Sequence, residues 1–426
     1  MGSSDFVQLV LQLAILLGTA VVCGQAMRAL RQPAVLGEMI GGVLLGPTLL
    51  GALLPQLHQD VFHSPPAVAV ARDSFTKLGM LFFLFVAGLE TDLSDLRRRG
   101  RQALSIGLVG TLLPIGAGLA LVYASPQGFW GAAANAHPFA LALFVGMSLA
   151  NSANPVLARI LMDLGLLRGS VGTLCMAATI VDDLVNWALF AVILSEIAPS
   201  GGSAGELPAG VARVVLLFVT VLGLGRWLGP HVLHWLRRHV AWPSGFIAMN
   251  ALVVLAAAGA SEGLGTHAFL GAFLAGAALG GHDPEHRQAH DVITRFSLSF
   301  FAPIYFVSMG LFVDFRANFD AGLVLVVLVV ALVSKLAAVL LGARLAGLPI
   351  DRQAWAIAFG LNARGATGLI LAGVGRETGV IDDRIFVALA VMAVVTSLMA
   401  GPAMSALLGR QPAAAGGEPA ADDATS

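Results

Sequence analysis

The sequence predicts an all-α polytopic membrane protein of about thirteen transmembrane helices, folded as an inverted repeat of two six-helix halves. Three observations lead there. Of the 426 residues, 57% are hydrophobic and 12% charged, against about 25% charged in a soluble domain. Apolar runs recur along the whole chain at lengths that cross a bilayer as helices. Two of these runs, at matched places in the two halves, are interrupted in mid-membrane by polar residues, glycine or proline. A net charge of -1 provides no basic surface for nucleic acid, so lipid is the expected surrounding. The 50 glycines suit helices that approach closely through small residues, because apolar side chains gain little by exchanging lipid for one another.

Taken in order, the spans lie near 6–27, 33–54, 74–91, 102–123, 138–161, 170–196, 208–229, 243–261, 265–281, 292–313, 320–343, 353–375 and 383–408. Asp5 and the lack of a basic leader mark the first as a retained helix rather than a cleaved signal. Residues 1–410 are expected to form one transmembrane domain, with halves 6–196 and 243–408 joined by a linker helix over 208–229. Residues 411–426, rich in Ala, Gly, Pro and acid, read as a disordered cytoplasmic tail, with no room for a soluble regulatory domain at either end. Cys23 and Cys175 both sit in apolar spans, so neither a disulfide framework, a metal cluster nor any cofactor is expected. Of the basic residues in the connections, 15 fall in the odd ones and the C-terminus and 6 in the even ones. That bias places the N-terminus outside and the C-terminus in the cytoplasm. The first six and last six spans then run in opposite senses, an architecture shared by many secondary transporters.

An inverted repeat of this kind carries an internal test: the fifth span of each half should be a discontinuous helix, and the two should cross at the site. Span five contains Asn151-Ser152-Ala153-Asn154-Pro155, where the proline donates no backbone hydrogen bond and disfavours helical geometry at Asn154. Span twelve contains Gly360-Leu361-Asn362-Ala363-Arg364-Gly365-Ala366-Thr367-Gly368, with Arg364 twelfth of the 23 residues between Arg352 and Arg376. Unwound backbone at that depth must line a cavity or be buried in protein. Its free helix ends present partial positive charge and cation-binding carbonyls. An Asn-Pro pair alone would read as an ordinary kink; the matched pair of polar breaks argues for two crossing helices.

The chemistry concentrates in the sixth span. Gly169 to Ser195 holds 27 residues whose only charges are the adjacent Asp182 and Asp183. A charge at mid-membrane costs roughly 2.5–3.5 kcal/mol even on insertion scales, and marks an ion or proton pathway unless it is a buried structural pair. Adjacent helical residues are about 100° apart, so the two acids cannot point one way. Thr179 and Asn186 lie within a turn of both and are placed to bond a carboxylate or complete an oxygen shell around a small cation. The chain has two lysines, Lys77 and Lys335, among 24 basic residues. Lys335 is fifteenth of the 23 residues between Asp320 and Arg344 and needs an acid; Asp182 or Asp183 is the natural partner, leaving the other for an ion. A lysine is expected at such a place because its charge, unlike that of arginine, responds to burial.

At this point a family resemblance covers nearly the whole chain. Gln32 to Pro47 (Gln32-Pro33-Ala34-Val35-Leu36-Gly37-Glu38 onward) and Leu84-Phe85-Val86-Ala87-Gly88-Leu89-Glu90-Thr91-Asp92-Leu93 resemble stretches of monovalent cation:proton antiporters. So do Ser152 to Leu161, with Asn154 where many relatives have an aromatic, His267 with Gly271-Ala272-Phe273-Leu274-Ala275-Gly276, and Asn362-Ala363-Arg364-Gly365-Ala366. The resemblance implies that Asp183 alternately carries a proton and a cation, and that Asp182 pairs with Lys335, an arrangement associated with electrogenic exchange. The transported species would be Na⁺, or alternatively K⁺, against H⁺, by a transporter rather than an enzyme. A homodimer in the cell membrane of a bacterium is also implied. One departure stands out: Gly368 occupies a place where many relatives have Glu, leaving Arg364 to find Glu38 or Glu90.

Other classes fit less well. A cation-coupled carrier of organic solutes on the same fold would need aromatics and an anion-binding arginine in its cavity; Arg364 permits this, but the Asp182, Asp183 and Lys335 set does not require it. A potassium-efflux system of this resemblance usually carries a nucleotide-binding cytoplasmic domain, for which no segment is expected. An intramembrane aspartyl protease needs facing acids on separate helices. The histidines His231, His234 and His239 read as a solvated patch, and His282, His286 and His290 as a polar loop. Trp130, Trp235 and Trp242 read as interfacial anchors, and Phe300, Phe301, Phe306 and Phe312 as packing.

Overall fold

The computed structural model describes residues 2–30, 32, 34–89, 100–126, 128–131, 137–166, 169–197, 216, 220–221, 223, 244–263, 268–279, 291–311 and 313–408. Among them every regular element is helical. In chain order they are α1 (Ser3–Ala29), α2 (Ala34–Leu45), the short α3 (Leu50–Leu53) and α4 (Pro55–Phe62), α5 (Pro66–Leu89), α6 (Gly100–Ala124), α7 (Pro138–Ala150), α8 (Asn154–Asp163) and α9 (Ser170–Ile197). The second half comprises α10 (Ser244–Gly263), α11 (Ala268–Leu279), α12 (Asp291–Leu311, with a π-helical turn over Ser297–Phe301), the short α13 (Phe315–Asn318), α14 (Ala321–Leu345), α15 (Arg352–Leu361), α16 (Gly365–Glu377) and α17 (Asp383–Leu408). Each expected span except the seventh coincides with a helix or a helix pair. The linker span over 208–229 lies almost wholly outside the described residues, as do the tail, Glu90, His267, Trp235, Trp242, Phe312 and the two histidine groups. Seven of the described helices are long and apolar enough to cross a membrane.

Helix ends follow from local chemistry. Asp320 accepts from the Leu323 N–H at 3.0 Å and starts α14, and Asp351 accepts from the Gln353 and Ala354 N–H groups to start α15. Between them α14 stops in a Schellman turn: Gly347 has φ +78°, its N–H reaches the Arg344 carbonyl at 3.0 Å, and the Leu348 N–H reaches Ala343 at 2.9 Å. These stops hold Lys335 and the second helix break at fixed depths.

Packing repeats between the halves. α2 meets α12 where a Cβ on Gly42 would lie 2.0 Å from the Val307 carbonyl, and α11 meets α5 where a Cβ on Gly276 would lie 2.1 Å from the Phe85 carbonyl. The second span of each half thus touches the third span of the other through glycine, as an inverted repeat requires. These helices and α1 form one layer; α6 to α9 and α14 to α17 form the other, which holds the acids.

Two expectations are corrected here. The third span, expected over 74–91, starts earlier: α5 begins at Pro66 and so takes in Arg72, which that reading leaves in the preceding connection. It is buried, and its guanidinium donates to Gln12 Oε1 at 3.1 Å, while Gln12 Nε2 donates to the Val61 carbonyl and to Ser64 Oγ, each at 2.6 Å. Trp130, read as an interfacial anchor, is 3% exposed and packs edge-on against Phe129 within the main core. Phe82 stacks on Phe301 at 5.0 Å beside the π-helical turn, and Phe300 and Phe306 also pack against other rings.

Candidate ion-binding site

Both fifth spans are broken where the sequence places the polar residues, and the breaks touch. α7 ends at Ala150, residues 151–153 are non-helical, and α8 begins at Asn154 with Pro155 in its first turn, where a missing N–H costs nothing. α15 ends at Leu361 and α16 begins at Gly365. The Ala153 N–H donates to the Ala363 carbonyl at 2.7 Å, and Ser152 Oγ donates to the Leu361 carbonyl at 2.7 Å. Gly365 has φ +36°, and a Cβ there would stand 2.3 Å from Val156 Cγ2. Glycine is therefore demanded twice, by its own backbone and by the crossing helix.

The C-terminal end of α7 carries free carbonyls and the negative end of a helix dipole. Two buried cations take them. Lys335 donates to the Ala150 carbonyl, and Arg364 donates to that of Leu149. Arg364 also donates to the Ala331 carbonyl at 3.1 Å, the Asn362 carbonyl at 2.9 Å and Asn362 Oδ1 at 2.6 Å. Among the described residues Arg364 is thus held by carbonyls: of its two expected acid partners, Glu38 faces α1, with Oε1 3.6 Å from a Cβ built on Gly24, and Glu90 lies outside the described residues. At Gly368 a Cβ would lie 3.2 Å from Arg364 Cβ and 3.5 Å from Asn151 Nδ2, an amide nitrogen with no partner among the described residues.

The two acids, both on α9, differ sharply. Asp182 and Asp183 are 2% and 5% exposed. Asp182 turns toward α6 and α14 and accepts three hydrogen bonds: from Lys335 Nζ to Oδ2 at 3.2 Å, and from Thr111 Oγ1 and Asn186 Nδ2 to Oδ1 at 2.6 and 3.1 Å. Asp183, one residue on and a quarter-turn away, faces α8 and accepts from Asn154 Nδ2 alone among the described residues. Asn154 Oδ1 and Asn186 Oδ1 are buried oxygens without donors there. Thr179, expected to serve a carboxylate, spends its hydroxyl on the Met176 carbonyl at 2.8 Å instead, an in-helix bond that competes with any outward one.

Two participants were not read from the sequence. Thr111 stands in an apolar helix with no charged neighbour, and Ser397, which accepts from the Gly365 N–H at 2.8 Å, stands in another. A lone hydroxyl in such a helix carries no local signal of a partner on a different helix.

One cavity, of about 460 Å³, lies elsewhere, between Arg72, Asp73, Thr76, Lys77 and the C-terminal end of α16 with Arg376 and Glu377. Its lining includes Gly373, roughly 12 Å along α16 from Gly365, and none of the residues expected at the site.

With this geometry in view, comparison with known proteins is direct. The sequence profile of the family described as "Sodium/hydrogen exchanger, transmembrane" matches residues 14–410. The Cation/H(+) antiporter 17 of Arabidopsis thaliana is 32% identical over 94% of this chain, which spans only 48% of that relative. The Na(+)/H(+) antiporter NhaS4 of Synechocystis is 28% identical over 94% of this chain and 97% of its own length. Among solved structures, the sodium proton antiporter MjNhaP1 of Methanocaldococcus jannaschii superposes with a TM-score of 0.67 at 15% identity, covering 94% of this chain and 97% of that one, a likeness of fold. The chain spans about half the length of the plant relatives it matches and nearly all of the bacterial one. By the match along almost its whole length, this chain belongs to the transmembrane sodium/hydrogen exchanger family.

Proposed function

We propose that the protein is a secondary active antiporter exchanging a monovalent cation, Na⁺ first among them, for protons, with Asp183 as the group for which the two compete. The observation that carries this is the inequality of the acids. Asp182 has three donors, one of them a charge, and is satisfied as an anion. Asp183 is as deeply buried with one neutral donor, and a buried carboxylate so poorly matched requires a proton or a cation. The unpartnered oxygens of Asn154 and Asn186 are of the right chemistry to join Asp183 around a small hard cation. Lys335 bonded to Asp182 supplies a charge that can be released when a cation arrives, which supports electrogenic exchange. Sodium is favoured by the names of NhaS4 and MjNhaP1.

If proton and cation exclude each other at one carboxylate, each tenfold rise in proton concentration below the binding transition weakens apparent cation affinity about tenfold, by simple competition. Purified protein in liposomes, assayed by dye quenching with Na⁺, Li⁺ and K⁺ in turn across a pH series, measures this. An affinity indifferent to pH removes the mechanism; coupling to an organic solute instead would favour the solute-carrier class. Placement in the cell membrane with the N-terminus outside, and assembly as a homodimer, rest on the arginine bias and the family resemblance. Accessibility labelling of single cysteines and mass measurement in detergent test them.

A further inference from the structure

Asp183 has an aromatic wall on one side that the exchange chemistry leaves without a role. Trp187 lies four residues after Asp183 and Phe190 seven, so the three share one face of α9. Trp187 stands about 6 Å from Asp183 toward the C-terminal end of the helix. All three are buried. The Trp187 ring meets two others: Phe190 of its own helix, edge-on at 6.1 Å, and Phe273 of α11, at 5.5 Å and 31°. The second contact crosses from the layer that holds the acids to the other layer. Phe273 is fixed there by the glycine crossing of α5 and α11, where a Cβ on Gly88 would lie 2.1 Å from the Phe273 carbonyl. Phe190 in turn meets Phe144 of α7 at 6.2 Å, a contact inside the acid-bearing layer, so these rings back Trp187 and do not bridge the gap. One turn beyond the carboxylate, the two layers touch through aromatic carbon.

We propose that Trp187 and Phe273 form a dry bar between Asp183 and the face toward which α9 ends, the outer face on the orientation given above, and that Trp187 thereby determines whether exchange is coupled. A constriction lined by aromatic carbon stops ions by excluding the water that would carry them. With the bar closed, Asp183 trades proton for cation with the opposite face alone. For the site to serve the outer face, the two layers must part at this contact. A ring pair suits that duty, because it is held by dispersion and burial and not by a directed bond. It can part and close again without breaking a hydrogen bond between the layers. With the bar removed, water reaches Asp183 from both faces at once, and protons cross with nothing in exchange. The inference rests on the reading of Asp183 as the exchanging acid and adds the barrier on one side of it.

The test uses proteoliposomes with an imposed pH gradient, choline as the only cation on both sides, and thiocyanate, which crosses the bilayer unaided, to balance charge. The parent then has nothing to exchange for protons and should hold the gradient. Trp187→Ala and Phe273→Ala should lose it, whereas Trp187→Phe, which keeps a ring at the gap, should hold it. Phe144→Ala is the control: it removes a ring of the same cluster whose contacts, with Phe190 and with Gly375 of α16, stay inside one layer, and the gradient should survive. A Trp187→Ala or Phe273→Ala protein as tight as the parent overturns the proposal, and so does an equal leak in Phe144→Ala. Should Trp187→Ala fail to fold in detergent melting, Trp187→Leu, a smaller loss of carbon, must leak or the proposal falls. Asp183→Asn is run beside them in Na⁺ medium. Exchange surviving there defeats the underlying reading whatever the choline assay shows, whereas loss there with a tight Trp187→Ala defeats only the present inference.

Discussion

The two broken helices meet the helix behind them in the same manner and with opposite chemistry. In the first half Asn154, at the start of α8, bonds Asp183 on α9; in the second, Gly365, at the start of α16, bonds Ser397 on α17. Asp183 in one half and Ser397 in the other each accept from the residue that starts the second segment of the broken helix. Thr396 and Ser397 return their hydroxyls to backbone carbonyls of their own helix and need nothing further, while Asp183 is left with a charge to settle. The start of each second segment is therefore met by an acceptor on the following helix, a carboxylate in one half and a hydroxyl in the other. On the proposed function, this contrast makes Asp183 the exchangeable group and leaves the matching contact in the second half neutral.

Four substitutions probe that contrast. Asp183→Asn keeps the shape and hydrogen-bonding capacity of the charged half but removes its exchangeable charge, so exchange should fall to the level of empty liposomes with the protein still folded by detergent melting. Lys335→Ala strips the charged donor from Asp182 and from the end of α7. Removing one member of a buried pair costs about 3–5 kcal/mol, so the melting temperature should drop, and currents on supported membranes should lose voltage dependence more than they lose turnover. Gly365→Ala places a methyl against Val156 in a positive-φ position, a strain of about 1–3 kcal/mol; reduced exchange and lower thermal stability are expected, read by the same two assays. Ser397→Ala removes the hydroxyl that accepts from the Gly365 N–H, a loss of about 1 kcal/mol, and should lower stability slightly while leaving cation affinity and its pH dependence in place. If Ser397→Ala instead abolishes exchange as fully as Asp183→Asn, the asymmetry between the halves is wrong.

The site was partly legible in the chain. Asp182, Asp183, Lys335 and Arg364 announce themselves because a charge in mid-membrane is costly wherever the helix goes. The breaks at Asn151 to Pro155 and Asn362 to Gly365 are visible because proline, asparagine and glycine act on their own backbone. Thr111, Ser397 and the carbonyls of Leu149 and Ala150 were not legible: each is ordinary in its own helix and matters through an atom on another. For the same reason Thr179 was overvalued, its spacing from the acids being right while its hydroxyl finds a nearer carbonyl.

What the amino-acid order determined by itself was the set of spans, the two interruptions and the cost of the charges, since these depend on local backbone chemistry and on transfer to lipid. Only the tertiary structure decided which acid gathers several donors and which is left with one among the described residues. Neighbours a quarter-turn apart on one helix are equivalent until other helices are packed around them, and here, among the described residues, Thr111, Asn186 and Lys335 converge on Asp182 while Asn154 alone reaches Asp183.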